Sequence, residues 1–179
     1  KNNKLNNMKK TLFLLLAIGL LSSCCQPKVE GHYVYQHGWN YNIQEGNIDV
    51  HETGTMDFYD NGCALDSARQ VYKVRFNDGG EAIWIFNYVS PSKWHVENED
   101  FYFSGVEESF RMELMENITV NCDKEKSAEL AQKIIINVSG SIARETKFHL
   151  AELSKEKLMW NYTYSNGNTD TWTFYRQEK

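Results

Sequence analysis

The sequence predicts a mainly β protein, an antiparallel up-and-down barrel or strongly curved sheet, with one α-helix at about residues 124–143. Three observations predict it. Short runs of alternating apolar and polar residues recur between turn signals at roughly the 8–12-residue spacing of sandwiches and barrels. Ten tyrosines and five tryptophans stand against two prolines, Pro27 and Pro91, and aromatic residues suit half-buried pleated surfaces. One segment, residues 123–145, instead spaces its apolar residues as a helix does.

The first strand is GHYVYQH from Gly31, and YNIQEGNIDV is a second with a break at Glu45-Gly46. TMDFYDNGCALD is the clearest hairpin, because Asn61-Gly62 suits a two-residue type I′ turn. That turn pairs Phe58 with Leu65 and puts Met56 and Cys63 on the same apolar face, with Asp57, Tyr59 and Asp66 outward. In QVYKVRF, Tyr72, Val74 and Phe76 share one face. EAIWIFNYV is apolar on both faces, with Ala82, Trp84 and Phe86 on one and Ile83 and Ile85 on the other, so its second face needs a cover. KWHVEN, FYFSG and FRMELMENITV continue the pattern.

Ala128, Ala131, Ile134, Ile135, Val138 and Ile142 then draw a single helical stripe, Asp123 is a fair N-cap, and a strand at KIIINV is the competing reading. The stripe is a candidate cover for the exposed face of the Trp84 strand. The chain returns to strands in KFHLAEL, LMWNYTY and TDTWTFYRQ. A three-residue loop 166–168, with glycine in a left-handed conformation, pairs Trp160 with Phe174 and Tyr162 with Trp172 on one face.

Ahead of the strands the pattern changes. Residues 1–7 are a polar tail; from Met8, two lysines lead into an apolar run, Leu12 to Leu21, and then Ser22-Ser23-Cys24-Cys25. This order is that of a secretory signal, and the run is about half the ~20 apolar residues that a spanning helix needs. Leu21-Ser22-Ser23-Cys24 resembles the lipobox of bacterial lipoprotein precursors. The resemblance implies a signal peptide over 8–23, cleavage before Cys24, lipid on that cysteine (palmitate among the acyl chains), and a tether over 24–30. Cys25 is not Asp, so the family's inner-membrane retention signal is absent and the outer membrane is favoured. Several acyl chains, at ~0.8 kcal/mol per buried methylene, anchor stably where one does not.

The domain over 31–179 resembles the lipocalin-like lipoproteins. Gly31-His32-Tyr33 stands where that family has Gly-x-Trp, and FYDNG, FHLAELSKEKLMW and WTFYR match its hairpin, late turn and closing strand. A helix ahead of three further strands departs from the family's order. The resemblance implies a cavity for a small apolar or amphipathic ligand, with Trp84, Tyr88, Trp94, Trp160 and Trp172 as candidate contacts. Large aromatics equally fill cores, and an eight-stranded barrel either holds one small ligand or fills itself with side chains. The alternative is a structural or inhibitor-like envelope lipoprotein with a filled barrel and a protein partner.

Residues 1–23 hold four lysines and no acid, so the remainder carries 15 basic and 24 acidic residues, a net charge of about −9. Such a domain is a poor nucleic-acid binder, since phosphate affinity needs Lys and Arg. No Gly-x-Ser-x-Gly, phosphate-cradling loop or His-Glu-x-x-His is present, and the acid pairs Glu107-Glu108 and Glu97/Glu99 carry no mark beyond an acidic surface. His32, His37, His51, His95 and His149 are scattered without a close metal pair. The expectation is a non-enzymatic protein with neither metal nor cofactor. In an exported chain a disulfide between Cys63 and Cys122 is allowed, as is a free inward thiol at Cys63.

Overall fold

The computed structural model describes residues 28–178. The described residues form nine strands, β1 (Gly31–Ile43), β2 (Gly46–Phe58), β3 (Cys63–Phe76), β4 (Glu81–Glu97), β5 (Asp100–Gly105), β6 (Arg111–Val120), β7 (Thr146–Leu153), β8 (Lys157–Thr163) and β9 (Thr169–Gln177), and one α-helix, α1 (Lys124–Ser141). Eight strands close an antiparallel barrel in the cyclic order β1-β2-β3-β4-β5-β7-β8-β9. β6 and α1 form an excursion between β5 and β7, with β6 pairing to the first half of β4. The sequence expectation of a lipocalin-like barrel with one helix therefore holds.

β4 serves two partners along one edge. Its pairing with β6 ends at Val89↔Arg111 and its pairing with β5 starts at Ser92↔Gly105. Pro91 lies between the two ladders, where the missing N–H of proline costs no bond on that edge. The signal read as a separate strand at KWHVEN is the far end of β4.

Alternate residues point inward along every barrel strand and build two apolar clusters. One joins Ile48, Val50, Tyr72, Val74, Trp84, Phe86 and Met112 to Leu130 and Ala131 of α1. The other closes the opposite end with Tyr33, Met56, Phe58, Phe101, Leu158, Trp160 and Phe174. Arg176 fastens this end: its guanidinium lies 4.9 Å from the Tyr33 ring centroid and donates to the carbonyls of Glu30 and Lys28 and to the Tyr33 hydroxyl.

α1 starts at the expected cap, with the Asp123 carboxylate accepting from the backbone N–H of Glu125 and Lys126 at 2.8 and 2.9 Å. It covers the Trp84 face of β4, not the second face: the fully buried Trp84 indole donates to Ser127 Oγ at 2.8 Å. The outward Ile83 and Ile85 are instead flanked by their register partners Lys73 and Val71 on β3 and Ile118 and Glu116 on β6. Long side chains directly opposite on a sheet face shield one another.

Several expected registers shift. β1 continues to Ile43 and turns at Gln44-Glu45, so the break lies one residue earlier than Glu45-Gly46. The Asn61-Gly62 loop has three residues: Tyr59 N–H bonds Cys63 O at 2.9 Å, Gly62 adopts φ +76°, and Asn61 Oδ1 accepts from Cys63 N. Phe58 consequently faces Ala64 rather than Leu65. The one-residue slip turns Asp66 into the barrel and leaves Cys63 exposed, because the period of a strand is two. At the last hairpin the three-residue loop with left-handed Gly167 forms as expected, one residue earlier, so Trp160 pairs with Trp172 and Leu158 with Phe174. The inward faces are unchanged.

Cys63 and Cys122 are free thiols. Cys63 opens β3, whereas Cys122 sits beside Gly80 at the other end of the β3–β4 ladder. At ~3.3 Å per residue the ladder separates them by about 40 Å, and a disulfide needs Cα atoms within about 7 Å. Cys24 lies outside the described residues.

Candidate ligand-binding site

The site begins where two strands part. β1 pairs with β2 along its whole length, but with β9 only from His32↔Gln177 to Tyr35↔Phe174. Beyond Tyr35 the two strands carry no common ladder, and side chains bridge the seam. His37, two residues on from Tyr35, points inward like Tyr33 and Tyr35 before it, and its Nε2 bonds Asp170 Oδ2 of β9 at 2.9 Å. The His37 ring stacks on Trp172 with centroids 3.9 Å apart and faces Trp39 at 5.6 Å.

The seam opens into a cup of about 260 Å³. Trp39, His37 and Trp172 make one wall. Phe148 of β7 with Tyr162 and Tyr164 of β8 and its loop make another, and Thr146 and Asp170 complete the lining. Phe148 is backed by Trp160, stacked at 4.9 Å, so this wall rests on the core. The Tyr164 hydroxyl lies 3.5 Å from Asp170 Oδ2; burial, then the Asp170 charge, pushes that phenol above its ordinary value. The cup stands at the opposite end of the barrel from the Arg176 closure. Its volume is just below the ~300–1,000 Å³ usual for small-molecule sites.

Of the five aromatic residues singled out in the sequence, Trp172 alone lines the cup. Trp84 and Trp160 are buried in the two clusters. Trp94 stacks on Phe101 at the closed end and donates its indole N–H to Cys63 O at 2.8 Å. Tyr88 belongs to a polar layer between the clusters. His37 and Asp170 were missed, being 133 residues apart in sequence. The available signal was the alternation Tyr33-Tyr35-His37-Trp39-Tyr41, which sets a histidine among aromatics on one inward face.

Beneath the cup lies a buried pair of acids. Tyr35 donates toward Glu52 Oε1 and Asp66 Oδ1 at 2.6 and 2.7 Å, and Tyr88 toward Glu52 Oε1 and Asp66 Oδ2 at 2.8 and 2.7 Å. Gln70 Nε2 donates to Glu52 Oε2 at 2.6 Å and itself accepts from Tyr72. Two phenols supply two protons for four phenol–carboxyl contacts and for the 3.0 Å contact between the phenols themselves, so a proton on one carboxyl relieves both the shortage of donors and the repulsion between the acids. Asp66 is its place: burial, and then the charge of Glu52, pushes its carboxyl up to about 7 despite hydrogen bonds from Tyr88 and Tyr35. Burial likewise holds both phenols well above their ordinary range. Among the described residues no lysine or arginine forms an ion pair with either acid.

Gly54 makes this layer possible. A Cβ there would lie 2.8 Å from Tyr35 Cζ, Ala68 Cβ and the Ser67 carbonyl oxygen, so only glycine lets the Tyr35 ring cross β2 to reach both acids.

No protein-family model matches the chain, and no curated protein matches it. Among the described residues no helix is long and apolar enough to cross a membrane.

Proposed function

We propose that the chain is a membrane-anchored, non-enzymatic lipoprotein of the bacterial outer membrane that binds a small amphipathic ligand in the cup between β1 and β7–β9. The cup carries the binding half of the proposal: it joins stacked aromatic faces to one hydrogen-bonded His–Asp pair. Mouths of β-barrels lined by apolar rings with a few convergent polar groups are the usual form of a small-ligand site. The acid pair, which does not line the cup, serves the barrel interior rather than a reaction.

The anchor rests on the sequence around Cys24. Val29, five residues later, is already buried in the closed end, which supports a short tether and a cup directed away from the bilayer. Cells fed an alkyne analogue of palmitate should label the wild-type chain and not Cys24→Ser, read by gel fluorescence; an unlabelled wild-type chain would overturn the anchor.

The ligand site is tested with N-phenyl-1-naphthylamine, an apolar probe that brightens on leaving water. The expected result is saturable binding at one site per chain, weakened at least about tenfold by Trp172→Ala, which removes a face of the stack. Equal binding by Trp172→Ala, or no saturable binding of either this probe or a small organic cation, would sink the ligand-binding function and leave a filled barrel.

A further inference from the structure

We infer that the cup is built for an organic cation, a quaternary or protonated ammonium group on a small apolar body. This inference rests on the cup being a binding site, as proposed above, and adds its ligand class. Five of the eight lining residues are aromatic: Trp39, Phe148, Tyr162, Tyr164 and Trp172. Aromatic faces carry the negative end of the ring quadrupole, and several around one space form the cage that recognises alkylammonium groups. A neutral apolar molecule would also fit such walls, so the charge of the site decides between them.

Asp170 is the one carboxylate in the lining, and neither lysine nor arginine lines the cup. Both side-chain contacts of Asp170, from His37 Nε2 and the Tyr164 hydroxyl, go to Oδ2. Among the described residues Oδ1 accepts no hydrogen bond from a side chain. A carboxylate held in place by a stacked, nearly buried histidine, with its second oxygen unspent, suits a positive charge. An anion would meet it with repulsion, and a neutral apolar ligand would strip water from it without compensation. The net charge of about −9 beyond residue 23 acts in the same direction at long range.

The test compares two molecules of the same shape, choline and its uncharged counterpart 3,3-dimethyl-1-butanol, by calorimetric titration of the full chain at low ionic strength. Choline should bind about tenfold more tightly than the alcohol. Asp170→Asn should remove that preference, with choline binding about tenfold more weakly than to the wild-type chain. Equal affinities, or no choline binding by a chain that still binds N-phenyl-1-naphthylamine, would overturn the cation assignment and leave the binding site standing. Failure to bind any of the three probes would overturn both.

Discussion

Between about pH 5 and pH 9 the unfolding free energy should fall by about 2–3 kcal/mol, and Asp66→Asn should abolish that fall. The origin is the buried acid pair. Asp66 has a carboxyl pushed up to about 7 from its ordinary value of 3.8, so in the intervening window the folded state binds a proton that the unfolded state has released. Stability therefore declines as pH rises through that window, the reverse of the usual salt-bridged carboxylate. At 1.36 kcal/mol per unit the full titration amounts to about 4 kcal/mol, part of it already spent below pH 5. Asparagine keeps a neutral donor and acceptor at the same position and has no proton to lose. Urea unfolding at a series of pH values gives the comparison, and parallel curves for the two proteins would show that Asp66 is ionised in the folded barrel.

Trp84→Ala should cost about 3–5 kcal/mol, a large part of the 5–15 kcal/mol typical of a domain. Trp84 is fully buried, lies among Phe86, Leu130 and Ala131, and is a hydrogen-bonded link between barrel and helix through Ser127. Ser127→Ala keeps the packing but orphans the buried indole N–H, at a cost of about 1–3 kcal/mol. Urea midpoints measure both. Hydrogen exchange should show α1 losing protection in Trp84→Ala beyond the loss in the barrel strands. Unchanged protection of α1 would mean that other contacts hold the helix.

The strands were legible because each barrel position alternates, and alternation is a local property. The helix was legible for the same reason at its own period, with Asp123 as cap. What one residue of loop geometry decides was not legible: Asn61-Gly62 fits both a two-residue and a three-residue loop, and only the second turns Asp66 inward to meet Glu52. Asp66, expected to point outward, is thereby interior. The cup was hidden for a different reason. It exists because β1 leaves β9 beyond Tyr35, and the point at which Tyr35 and Phe174, 139 residues apart, end the pairing is set by closure of the whole barrel. An aromatic census favoured Trp84 and Trp160 as readily as Trp172, since a core and a binding wall ask for the same residues.

Those five indoles also give the most direct test of the cup. Each carries one Nε1–H with its own resonance in a ¹H–¹⁵N spectrum, and they are distributed as Trp39 and Trp172 in the cup, Trp84 beneath the helix, and Trp94 and Trp160 toward the closed end. On titration with choline or N-phenyl-1-naphthylamine, the Trp39 and Trp172 signals should move together along one saturating curve while Trp84, Trp94 and Trp160 stay in place. Movement of Trp84 or Trp160 with Trp39 and Trp172 unmoved would place the ligand in the core, and a spectrum unchanged by either probe would leave the seam without a ligand.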